Sequence, residues 1–150
     1  MNYHKLYDKD FYLWTELTAA HLKSRQFEQV DLDNLIEEVE SLGRNARDKL
    51  IISLKVLLAH LLKWQFQPDK RTKSWKDSIF RERANIDEYL EDIPSLKQFL
   101  VDEWIEKAYR RGLRTAINET EMDESVFPKQ CPYSLEQIWD EDFLPWRLEQ

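Results

Sequence analysis

The sequence predicts an all-α protein, a single helical-bundle domain over residues 1–150 with four main helices and a short fifth. Three observations carry this. Only two glycines and five prolines punctuate the chain, which leaves long uninterrupted segments. Within those segments apolar residues recur at steps of three and four rather than alternating, the spacing of one helix face. The clearest run is Leu32, Ile36, Val39, Gly43, Ala46, Leu50, Leu54, Leu57 and Leu61, which keeps its phase throughout.

In chain order, Asp8 or Asp10 caps a first helix reaching about Arg25, with Phe11, Trp14, Leu17, Thr18 and His21 as its buried stripe. The second helix starts near Asp31 or Asp33 and ends at about Gln67, before Pro68. Because the phase survives Gly43, a continuous or kinked helix is expected in preference to two helices broken there. Between Leu50 and Leu62 it is apolar around most of its circumference, so other helices must surround it. Ser74 opens the third helix, with the stripe Trp75, Ile79, Arg83, Ile86 and Leu90, which stops before Pro94. The fourth runs from about Ser95 to Thr120. Its face of Val101, Ile105, Ala108, Gly112 and Ala116 is small enough for a neighbouring backbone to approach closely. Ser134-Leu135-Glu136-Gln137 is a capping box that opens a short last helix, and Phe143-Leu144-Pro145-Trp146 is an apolar tail expected to dock.

Composition excludes several function classes. Two distant glycines cannot form a phosphate-cradling loop or a dinucleotide fingerprint. One cysteine, Cys131, excludes internal disulfides and multi-cysteine zinc sites and fits a reducing compartment. The longest nearly apolar stretch, Leu50 to Leu62, contains Lys55 and His60 and is too short to span a membrane. Asp8 and Asp10 stand where a leader would need apolar residues, so a cytoplasmic protein is expected. A net charge of −7 disfavours non-specific nucleic-acid binding without excluding a local basic patch.

Glu37, Glu40, His60 and Arg83 are the candidates for chemistry. Glu37 and Glu40 lie one turn apart and could share a divalent metal, with His60 as a third group. However, no acidic residue lies between Asp48 and Asp69, where a second carboxylate pair would be needed, and no histidine follows a carboxylate by three. The plainer reading of the glutamates is a solvated face plus one structural ion pair, and that of His60 a structural histidine bonded to a carbonyl or hydroxyl. Cys131 shows neither a neighbouring base nor a reason for a lowered pKa. Arg83 sits within an apolar stripe. A buried guanidinium demands a partner, so a bidentate bond to Glu40, with Glu37 second, is expected to tie the second helix to the third. A separate basic segment, 63–83, holds seven cations against three acids. Lys63, Trp64, Lys70, Arg71, Lys73, Trp75 and Lys76 are the binding candidates there, since cations interleaved with aromatics suit single-stranded nucleic acid or another anion.

The chain also carries Tyr7-Asp8-x-Asp10-Phe11-Tyr12-x-Trp14, Asn34-Leu35-Ile36-Glu37-Glu38-x-Glu40-x-Leu42-Gly43 and His60-Leu61-Leu62-Lys63-Trp64. Ser74-Trp75, Pro94-Ser95-Leu96 and Phe127-Pro128-x-x-Cys131-Pro132-Tyr133 follow. In this combination it resembles a bacterial family known as domain of unknown function 29, over nearly its whole length. The resemblance implies an all-helical fold and brings no activity, cofactor or catalytic residue. One departure is Thr120-Glu121-Met122, where the family often has Thr-Gly-Leu.

The functional expectation is a small non-catalytic interaction or regulatory protein with no cofactor or resident metal and an unidentified protein partner, a homodimer being one form. A metal-dependent hydrolase or nuclease using Glu37, Glu40 and His60 is the alternative from another class. A third reading is an anion or nucleic-acid binder acting through segment 63–83.

Overall fold

A computed structural model describes residues 3–146, with side chains from residue 5. The described residues form an all-α fold: α1 (Tyr3–Lys9), α2 (Phe11–Lys23), α3 (Leu32–Phe66), α4 (Lys73–Asp92), α5 (Asp102–Thr120) and α6 (Leu135–Trp139), with a short 3-10 turn in each connection after α2. Helix α3 is unbroken at Gly43. By its contacts the chain divides into two compact units, Met1–Asn45 and Ala46–Gln150.

The first unit holds α1, α2 and the start of α3. Asp10 caps α2, its side chain accepting from the Leu13 N–H at 3.1 Å. Tyr7, Phe11 and Trp14 form an aromatic cluster with centroids 4.9–5.7 Å apart. Trp14 is the one apolar side chain that this unit buries among the described residues. Its indole N–H donates to Asp31 Oδ2 at 3.3 Å, and Asn34 Nδ2 donates to the same oxygen at 2.7 Å. Contrary to the expected stripe, Phe11 is exposed while Leu17 and His21 are only half-buried.

The second unit is built around the leucine-rich part of α3. Leu50, Leu54, Leu57, Leu58, Leu61 and Leu62 are buried in one cluster with Ile79, Ile86 and Leu90 of α4 and Ile105, Ala108, Tyr109 and Ala116 of α5. Gly112 explains the closeness of α3 and α5. A Cβ placed there would lie 2.8 Å from the Lys55 carbonyl oxygen and 3.2 Å from the Ala59 nitrogen, both backbone atoms. Val101, expected on the same buried face, is instead the exposed residue that precedes α5. The separation has a local cause. Pro94–Phe99 forms a 3-10 turn, so α5 begins later than the apolar spacing suggested.

One helix end differs from expectation in detail, while α5 ends at Thr120 as expected. Thr72 rather than Ser74 caps α4, its hydroxyl accepting from the Trp75 N–H at 3.2 Å. At the end of α5, Glu121 takes a left-handed conformation (φ 58°, ψ 18°). A Cβ is disfavoured in this conformation, which glycine adopts freely. The capping box at Ser134 is as expected, and so is the docking of Phe143, Leu144 and Pro145, whereas Trp146 is exposed. Pro145 is buried, and Phe143 and Leu144 pack against the core.

Three backbone substitutions should separate in chemical denaturation. Gly43→Ala meets no atom within 4 Å and should stabilise by about 0.5–1 kcal/mol through helix propensity alone. Glu121→Gly should gain about 1 kcal/mol by relieving the left-handed residue, less whatever glycine's freedom in the unfolded chain costs. Gly112→Ala should lose about 1–3 kcal/mol, because the contacting atoms are backbone and cannot swing aside.

Candidate functional site

Arg83 is buried on the inner face of α4, as its place in the stripe required, but its partners are not carboxylates. Nε donates to the Ile138 carbonyl at 2.9 Å, NH2 to Gln137 at 3.1 Å and NH1 to Phe143 at 2.8 Å. Two of these oxygens belong to the last turn of α6, where carbonyls have no partner within the helix and carry its negative dipole end. The guanidinium thus caps α6 from outside. One helical turn along, Asp87 Oδ1 accepts from the Trp139 indole N–H at 3.0 Å. Burial pulls the Arg83 pKa below its ordinary value while Asp140 and Glu141 push it up, and the group stays charged. The expected bond to Glu40 is therefore incorrect. Main-chain oxygens, two in the last turn of α6 and one at Phe143 beyond it, accept from all three donating nitrogens.

Glu40 and Glu37 instead share Arg44. Arg44 NH2 lies 2.7 Å from Glu37 Oε1, and NH1 lies 3.7 Å from Glu40 Oε2, with both glutamate side chains more than half exposed. Among the described residues no group of three or more His, Cys, Asp or Glu side chains comes together to hold a metal ion. His60 lies in the second unit, half-buried, with Nδ1 2.8 Å from the Val56 carbonyl. Since a carbonyl only accepts, Nδ1 carries the proton and Nε2 keeps the lone pair. Desolvation holds the ring below its usual pKa, and the neighbouring Lys63 and Arg81 charges act in the same direction.

The basic segment divides in two. Lys63 is buried, 2.5 Å from Glu119 Oε2 on α5 and 4.9 Å from the Trp75 ring centroid on α4, so it joins three helices. Arg71 stands between two indoles, 5.0 Å from Trp64 and 4.8 Å from Trp146, and its Nε donates to the Trp64 carbonyl at 2.8 Å. Trp64 and Trp75 thus face cations of the chain itself. Lys70, Lys73 and Lys76 are exposed, Lys73 beside Asp77 at 3.4 Å.

Cys131 lies on an open cleft of about 570 Å³, alongside Ile105, Glu106, Arg110 and Lys129. Its N–H donates to Glu106 Oε1 at 3.0 Å, and burial raises the thiol pKa to about 11. At neutral pH it is a protonated, poorly nucleophilic thiol.

One feature was not recognised from the sequence. On the amino-terminal part of α3, Leu32, Ile36, Val39 and Leu42 are exposed, as are Phe11, Tyr12, Leu13 and Phe27 elsewhere in the first unit. At about 100° per residue the four α3 side chains fall on one arc. Asp33, Glu37 and Glu40 border it on one side and are exposed as well. The sequence did carry a signal. Five acids lie between Asp31 and Glu40, which leaves a narrow apolar stripe, unlike the all-round apolar surface after Leu50.

An all-helical protein with no group of three or more metal-ligating side chains among its described residues, and with an exposed apolar face on α3, is the class this geometry defines. The chain belongs to the family of the domain of unknown function DUF29, whose model matches residues 6–144. No curated relative and no solved structure matches it. No helix of the described residues is long and apolar enough to cross a membrane.

Two measurements check this geometry. Arg83→Met should cost about 3 kcal/mol in urea denaturation by stranding the α6 carbonyls, with Arg83→Lys intermediate because an ammonium cannot reach three oxygens at once. The His60 pKa is lower folded than unfolded, so below about pH 6.5 the unfolded chain binds a proton the folded chain refuses. Stability should therefore fall as pH drops through that value, and His60→Gln should lose less between about pH 7 and pH 5 than the wild type does.

Proposed function

We propose that the protein is a non-catalytic interaction module of the cytoplasm that presents the apolar face of its first unit to a protein partner. The observation that carries this reading is the imbalance of that unit. Among its described residues it buries one apolar side chain, Trp14, and leaves eight large apolar side chains exposed. A segment of about 40 residues seldom buries enough surface to be stable unaided, and contiguous exposed apolar surface on a folded chain marks an interaction site. Further support comes from the groups that would otherwise act in chemistry. Arg44 occupies both Glu37 and Glu40, and Cys131 is held as a thiol. The single cysteine of the sequence fits a reducing compartment.

The test is affinity capture from the native cell with wild-type protein and the double variant Ile36→Asp/Val39→Asp. Both positions are exposed, so the far-UV circular dichroism should be unchanged. A specific protein retained by the wild type should be lost or depleted at least about tenfold with the variant. Identical capture by both forms would show that this face is not the contact surface.

A further inference from the structure

On that reading of the first unit as an interaction surface, we infer that the face of α3 formed by Leu32, Ile36, Val39 and Leu42 receives a basic amphipathic helix from another protein. The argument begins with shape. Leu32, Ile36 and Val39 are separated by four and three residues, the spacing of a seam along which two helices interlock. All three are exposed, at 59%, 46% and 59%, and Leu42, at 69%, extends the arc by about another turn. A seam over these positions offers about three helical turns to an occupant lying alongside.

Charge then chooses among occupants. Asp33, Glu37 and Glu40 edge the seam in exposed positions, and Arg44 is the only basic residue between positions 26 and 46. The Arg44 side chain already lies against Glu37 and Glu40, so the edge keeps an excess of negative charge. A helix with leucines or isoleucines on one side and lysines or arginines beside them would place cations opposite this edge. A second copy of the chain fits less well. Antiparallel pairing that seats Ile36 against the partner copy's Val39 brings Asp33 near the Glu40 of that copy, and a net charge of −7 on each chain adds repulsion. Electrostatic complementarity of this kind selects partners and speeds their encounter, while the apolar seam holds them.

The experiment uses the full chain and designed peptides followed by fluorescence anisotropy. One peptide has a leucine seam flanked by lysines, the second has the same seam flanked by glutamates, and the third is a scrambled form of the first. The lysine-flanked peptide should bind saturably, and the other two should bind at least about tenfold more weakly. Raising salt should weaken binding, and Ile36→Asp/Val39→Asp should weaken it by a similar factor. Glu37→Lys/Glu40→Lys, at exposed positions that do not endanger folding, should shift the preference toward the glutamate-flanked peptide. Equal binding of the scrambled peptide, no binding of any peptide, or an unmoved preference in the charge-reversed variant overturns the inference. So does a dimer mass by sedimentation that Ile36→Asp/Val39→Asp abolishes, since the occupant is then a second copy. If every peptide fails while that variant still loses the captured cellular protein, the interaction-module reading stands and only the basic helix is refuted.

Discussion

The missing side chain at Gly112 sets the spacing on which the second unit depends. With no Cβ there, α5 lies against the main chain of α3 at Lys55 and Ala59. Ala108 and Ala116, one turn to either side, are wholly buried and small, so the close approach extends along the helix. Backbone contact at this distance leaves no room for solvent and brings many atoms to optimal separation, so weak dispersion terms accumulate. The leucines of α3 are then enclosed by α4 and by the segment after α5. Phe127 packs edge-on against Phe66, and the Tyr133 hydroxyl donates to Gln65 at 2.8 Å.

Polar bonds finish what apolar packing starts, and they are concentrated on the segment after α5. Tyr109 donates its hydroxyl to the Pro128 carbonyl at 2.5 Å, Glu106 receives the Cys131 N–H, and Arg83 and Asp87 hold α6 and the residue beyond it. Each bond joins residues at least 19 positions apart in the chain. A segment with a helix of only five residues has little intrinsic order, so these anchors give it a fixed course.

The fold class was legible because helix periodicity is a strong signal in a chain with so few breaks. The uninterrupted α3, the buried leucines, the close approach at Gly112 and the Ser134 capping box could all be read from spacing and residue type. What could not be read was which side of an amphipathic helix finds a neighbour. Leu32, Ile36 and Val39 continue the phase of Leu50, Leu54 and Leu57, yet the first three are exposed and the last three buried. Periodicity gives a direction and contains nothing about what lies in that direction. Arg83 shows a second limit. Its inward placement followed from the stripe, but its partners are main-chain oxygens, which every residue carries and which leave no mark on composition. His60 was easier, since a helical residue meets the carbonyl four positions earlier without help from distant chain.

The Arg83 cap has a consequence for the order in which the chain matures. Synthesis proceeds from the amino end, and the residues that satisfy this guanidinium, Gln137, Ile138 and Phe143, are made more than fifty positions after it. Until they emerge, α4 carries a charge that cannot be buried without loss, so it must keep Arg83 turned to water or to a temporary partner. The earlier helices can gather around the leucines of α3, but that assembly closes only when the late carbonyls arrive. A nascent chain halted before Gln137 would therefore hold an open, hydrated seam along α4, the kind of surface that chaperones and proteases recognise.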